Sequence, residues 1–163
     1  SIFGGEDYDA RLEQPGCNKP GFNDENWKSP LEVKAPGGRL QAEGDYPLKV
    51  MQEFEPVNIY NPDSSIYVYD FGQNASGIIR LTIIGKKGQE VRLWPGELIG
   101  ADSLVAQRAS GTPFYFSYTL KGEKEEVWIP RFTYYGFRYV RAESSWYCPA
   151  HAHKRNSDIN IFL

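Results

Sequence analysis

Few side chains in this sequence could make or break bonds, and none comes with the partner that such chemistry requires. Glu97 follows Trp94-Pro95-Gly96 and is the carboxylate most suggestive of an acid or base. Acid–base hydrolysis needs two carboxyl groups held in different protonation states, and no second member can be assigned to Glu97 from sequence. Asp70 and Asn74 flank Phe71-Gly72, and short polar side chains of this kind bond their own turn backbone. Arg131 and Arg138 lie in the aromatic-rich run from Val127 to Val140. Guanidinium planes stack on rings, so these two would brace a strand face or a contact with another domain. Cys17 and Cys148 stand far apart, and with two His in the chain they fit no zinc spacing. They read as free thiols or as one disulfide.

The elements that would hold these residues are strands. Aromatics make up 15% of the 163 residues, with 16 Gly and 11 Pro, a composition that favours short strands and tight turns over long helices. Residues 1–30 are rich in turn formers, and Phe22 and Trp27 bracket a polar stretch as ring anchors. Alternation over Leu31, Val33 and Ala35 and again over Leu48, Val50 and Phe54 predicts half-buried strands. Further strands are predicted at 65–71 and 77–84, with Gly72 to Asn74 turning the chain between them. Gly85-Lys86-Lys87-Gly88 predicts a hairpin whose return strand is 89–94. Strands at 113–120, 126–130 and 132–142 follow, with Gly136 marking a bulge or bend. Eight or more short strands with few short helical turns predict an all-β, antiparallel β-sandwich. The best boundary falls at Val57 to Ser64, and after Glu143 the pattern is lost.

A formal net charge of −3 offers no basic field for nucleic acid. No apolar window reaches membrane-spanning length, and the first residues lack the marks of a signal peptide. Neither nucleic acid nor a membrane is therefore an expected partner.

Several segments, in order, carry a resemblance. They are Gly5-Glu-Asp-Tyr-Asp-Ala-Arg11, Tyr69-Asp-Phe-Gly-Gln-Asn74 followed by Gly77, Trp94-Pro-Gly-Glu-Leu98, Gln107-Arg108, Tyr118-Thr-Leu-Lys-Gly122, and Pro130 to Val140. Together they resemble the N-terminal non-catalytic β-sandwich region of bacterial α-L-rhamnosidases, glycoside hydrolase family 78, from about Gly4 to Glu143. The resemblance implies a jelly-roll or concanavalin-like sandwich. Residues 1–55 would be the C-terminal part of an N-terminal sandwich, 56–143 a second sandwich of concanavalin-like type, and 144–163 a divergent tail. It implies an inverting glycosidase as the parent, periplasmic or secreted, whose acid and base sit in a separate (α/α)6 barrel that this chain would scaffold, so that the piece is inactive alone. It also implies an alternative, a module binding L-rhamnose-containing glycans through Glu6, Asp7, Asp9, Arg11 and Trp27. In that reading carboxylates accept sugar hydroxyls, a ring covers the C–H face, and calcium is allowed as a helper. Against it stands a purely structural reading in which Asp9 pairs with Arg11 and Glu6 caps a turn.

Overall fold

The computed structural model describes residues 4–46, 49–108, 114–144 and 157–162. The chain divides into two compact units, one made of Ser1–Leu12 with Val50–Leu163 and the other of Glu13–Lys49. Cys148 lies outside the described residues, and Cys17 is an exposed free thiol.

The regular structure of the larger unit is almost all strand: β1 (Gly5–Asp9), β2 (Glu53–Phe54), β3 (Asn58–Asp63), β4 (Ile66–Ile83), β5 (Glu90–Gly96), β6 (Leu98–Ile99), β7 (Val105–Ala106), β8 (Tyr115–Thr119), β9 (Glu126–Trp128), β10 (Tyr135–Ser144) and β11 (Ser157–Phe162). A 3-10 turn, Ala10–Leu12, follows β1. The strand order is β1-β8-β5-β10-β4-β11-β2, with β3 and β9 also paired to β4, while β6 and β7 form a separate ribbon. All pairings are antiparallel except β1 with β8.

The 18-residue β4 holds the architecture together. Its first part pairs with β3 and β10, and its later part pairs with β9 and β11. The turn expected at Gly72 to Asn74 is therefore not a turn. Opposite β10 the register jumps from Phe137↔Ala75 to Tyr139↔Asp70, so β4 takes up the extra residues as a bulge. Gly72 sits there at φ 81°, a conformation open to glycine, with its N–H donated to Asp70 Oδ1 at 2.8 Å. The turn formers interrupt the regular pleating of a continuous strand. They bend one strand instead of reversing it.

The hairpin expected at 85–88 is also corrected. β5 pairs with β10 and β8 and does not return along β4. The loop before it is held instead by Gly88 N–H to Leu120 C=O and Leu120 N–H to Gln89 C=O, both 2.8 Å. Nor do β9 and β10 form a hairpin with each other, since each pairs with a different part of β4.

Alternation on these strands sends one row inward. Tyr69, Leu93, Phe116, Tyr118, Phe137 and Val140 belong to a single buried cluster with Ile79, Leu81 and Trp128. Each large ring buried there contributes roughly 1.5–3 kcal/mol. Two buried polar groups are fully used. Gln107 donates to the carbonyls of Pro95 and Phe114 and accepts from Phe114 N–H. Glu126 accepts the Tyr118 hydroxyl and the backbone N–H groups of Lys121, Gly122 and Glu123, which explains how a carboxylate tolerates burial.

The smaller unit has turns at 15–21 and 25–27, and its residues 28–44 carry no regular structure. Leu31, Val33 and Leu40 are exposed there. The strand expected at Leu31 to Ala35 is absent, and of the one expected over Leu48, Val50 and Phe54 only Glu53–Phe54 is formed among the described residues, Leu48 lying outside them. Alternation makes a strand amphipathic, but a strand also needs a neighbour to receive its backbone hydrogen bonds.

Candidate functional site

The outward face of the sheet is where chemistry-bearing side chains collect. One row crosses six strands in register: Asp63 (β3), Ile66 (β4), Glu143 (β10), Arg92 (β5), Ser117 (β8) and Asp7 (β1). The neighbouring row runs Tyr60, Val68, Arg141, Trp94 and continues into the Tyr115 ring, 4.6 Å from Trp94. The two rows lock together. Arg141 lies over the Trp94 ring at 4.6 Å, and Arg92 lies over Tyr115 at 5.2 Å. Trp94 Nε1 donates to Glu143 at 3.1 Å, and Glu143 also pairs with Arg141 at 3.1 Å. Arg92 pairs with Glu90, which raises the guanidinium's pKa further. A recess of about 310 Å³ opens among Ser65, Ile66, Glu90, Arg92, Glu143 and Ser144.

At the β4 bulge Arg138 makes two bonds to Asp70, 2.8 and 2.9 Å, and lies over Tyr139 at 4.9 Å. The Arg138 hydrogen bonds hold the Asp70 carboxyl below its usual range, helped by the Gly72 N–H. Burial, with lesser contributions from Tyr139 and Asp70, pushes the Tyr60 phenol up. Asn74 does not bond its own turn; its amide donates to Glu97 at 2.6 Å. Glu97 thus holds the bulge to the strand end.

The sequence-derived candidates distribute as follows. Register places Asp7 and Asp9 opposite Ser117 and Thr119 on the outward face, with Glu6 on the other side of the strand. Glu6 accepts Arg131 N–H at 2.6 Å, and the Arg131 guanidinium covers Tyr8 at 5.7 Å. Asp7 accepts the Ser117 hydroxyl at 2.6 Å. Asp9 takes two bonds from the Arg11 side chain, 2.8 and 2.7 Å, and a third from Arg11 N–H. The side-chain bond to Arg11 is the main reason its carboxyl is held below the usual range. Trp27 belongs to the smaller unit, where its indole donates to Gln14 at 2.6 Å and its ring meets Phe22 at 5.6 Å; at 51% exposure it is no core anchor.

Calcium would require six or more converging oxygens. Glu6 faces away from Asp7 and Asp9, and both Asp9 oxygens are taken by arginine, so these three residues do not make that cage. No group of three or more His, Cys, Asp or Glu suited to a metal occurs among the described residues.

β1 reaches this face through one tight contact. Gly5 has φ 84°, and a Cβ there would lie 1.8 Å from the Tyr115 carbonyl oxygen, so only glycine lets β1 lie against β8. The Arg–Trp–Tyr lattice escaped sequence reasoning, although a signal was present: polar and aromatic residues alternate in Glu90-x-Arg92-x-Trp94 and Tyr139-x-Arg141-x-Glu143.

The fold is a concanavalin-like β architecture, and comparison with known proteins makes it specific. The family model described as bacterial α-L-rhamnosidase concanavalin-like domain matches residues 61–157, and the α-L-rhamnosidase N-terminal domain matches residues 1–52. The chain belongs to the bacterial α-L-rhamnosidase family. An α-L-rhamnosidase of Streptomyces avermitilis is 36% identical over 147 residues, covering 85% of this chain and 14% of that protein. Among solved structures, the α-L-rhamnosidase from Dictyoglumus thermophilum superposes with a TM-score of 0.87 at 34% identity, covering 100% of this chain and 18% of its own. The Streptomyces avermitilis α-L-rhamnosidase complexed with L-rhamnose gives 0.86 at 30% identity, covering 99% and 15%. The chain spans about one seventh of the length of the curated relatives it matches. Its residues match the N-terminal and concanavalin-like regions of those enzymes, a non-catalytic accessory piece.

Proposed function

We propose that this chain serves as framework for the catalytic part of an α-L-rhamnosidase and is inactive by itself. The supporting observation is coverage: a specific match to the β regions of these enzymes that leaves more than four fifths of each relative outside it. The side-chain arrangement agrees. Glu6, Asp7, Asp9, Glu97, Glu126 and Glu143 each accept hydrogen bonds from neighbouring protein groups, which suits architecture more than proton transfer. The complete enzyme would hydrolyse terminal α-L-rhamnose by inversion, one carboxylic acid protonating the leaving oxygen and one carboxylate activating water, with both groups in an (α/α)6 barrel that this sandwich supports. A bacterial parent exported to the periplasm or beyond fits a polysaccharide substrate.

Calorimetric titration of the chain with L-rhamnose, with calcium and then with chelator, tests this reading. No saturable heat at millimolar sugar is expected. Saturable heat abolished by Asp9→Ala without loss of melting temperature would replace the framework role with sugar binding at Glu6 to Arg11. Hydrolysis of an aryl rhamnoside by the purified chain would refute inactivity.

A further inference from the structure

Within the larger unit, β9 and the segment joining it to β10 carry a run of exposed apolar side chains. Within the eight residues 127–134, Val127, Ile129, Phe132 and Tyr134 are all exposed, Phe132 completely. Single exposed apolar residues are ordinary, but a contiguous set marks an interaction surface. Phe132 also has φ 53°, the left-handed region that bulky residues avoid unless something holds or uses them there. The one cation in the segment, Arg131, is turned over Tyr8 while its N–H is donated to Glu6, which ties the base of the segment to β1. Four exposed apolar side chains within eight residues thus stand on a braced base, with the segment's charge directed elsewhere.

We propose that residues 127–134 are the surface on which another domain of the same, longer polypeptide docks, through an apolar depression that receives Phe132. This rests on the framework reading and names the contact that reading needs. Two features select this occupant. Relatives carry more than four fifths of their length beyond the matched region, so a tethered partner is at hand. A tethered domain is present at millimolar effective concentration and outcompetes a second copy or a free protein for the same apolar side chains. Interfaces between domains of one chain are of a size that a set of this kind can nucleate.

The test is hydroxyl-radical footprinting of Phe132 and Tyr134 in two settings. One is the 163-residue chain alone; the other is a chimera in which the chain replaces the matching 147 residues of the Streptomyces avermitilis enzyme. Labelling of Phe132 is expected to fall roughly fivefold or more in the chimera, as for a residue at an interface core. Phe132→Ser should lower the melting temperature of the chimera and leave that of the isolated chain unchanged. Equal labelling in both settings, in a chimera that hydrolyses an aryl rhamnoside, would overturn the docking site while leaving the framework reading intact. Concentration-dependent protection in the isolated chain would overturn it in favour of self-association. Should the chimera not fold, the second setting is the full-length polypeptide that carries this chain, where unchanged labelling of Phe132 overturns the docking site. Hydrolysis by the isolated chain would instead sink the framework reading itself.

Discussion

The sheet around β4 and the stretch 28–44 share a sequence pattern and have opposite fates. Leu31, Val33 and Ala35 alternate as cleanly as Val91, Leu93 and Pro95, yet the first set is exposed and irregular while the second is buried on β5 between β10 and β8. Both stretches are short and contain β-compatible residues. The difference lies in the pairing: β5 has a ladder on each side, and residues 28–44 take part in no ladder among the described residues. Hydrophobic alternation encodes which way side chains will point once paired, and pairing has to come from elsewhere.

The sharpest way to break the comparison is on the ordered side. Glu126→Ala removes the acceptor for one hydroxyl and three backbone N–H groups, leaving the Tyr118 hydroxyl buried and the loop N–H groups partly so. A loss of about 3–5 kcal/mol in urea unfolding is expected, and a loss under about 1 kcal/mol would show that the loop 121–123 reorganises freely.

Asp70→Asn probes the bulge more gently, removing a charge-assisted pair that is partly solvated. About 1 kcal/mol is expected near neutral pH. Because the Arg138 hydrogen bonds hold the Asp70 carboxyl below its ordinary pKa in the folded state, the unfolded chain binds the proton more readily in acid. The wild-type advantage should therefore be full above about pH 5 and fade as pH falls through and below the ordinary carboxylate pKa near 4. Urea unfolding of both proteins between pH 2 and 7 reads this out, and an advantage independent of pH would remove the charge from the explanation.

On the irregular side, Leu31→Ser with Val33→Ser should change stability by less than about 0.5 kcal/mol. A larger loss in the same assay would mean that the segment is packed, and the contrast between the two regions would collapse.

Sequence made the all-β class legible because strand-forming residues and turn formers recur at short intervals. Gly72 was legible as a break, but whether the chain reverses or bulges depends on β10, whose register opposite Asp70 and Ala75 is a long-range fact. Gly85 to Gly88 was legible as a loop, yet which strand receives β5 was decided by the buried faces of β8 and β10. For the candidate site, Asp9 and Arg11 are two residues apart and their pairing could be foreseen. The lattice of Arg141, Trp94 and Glu143 could not, because it joins strands about fifty residues apart. The aromatic run allowed a contact with another domain to be foreseen, but that Phe132 and Tyr134 are among the exposed rings needed the fold.

β4 takes part in the ladders of β3 and β10 at one end and of β9 and β11 at the other. A backbone held in common means that neither half of the sheet can lose its pairing without fraying the other. Melting should consequently be a single cooperative event for the larger unit, with matching calorimetric and van't Hoff enthalpies. Amide exchange should be slowest along β4, where opening either half requires the costliest fluctuation.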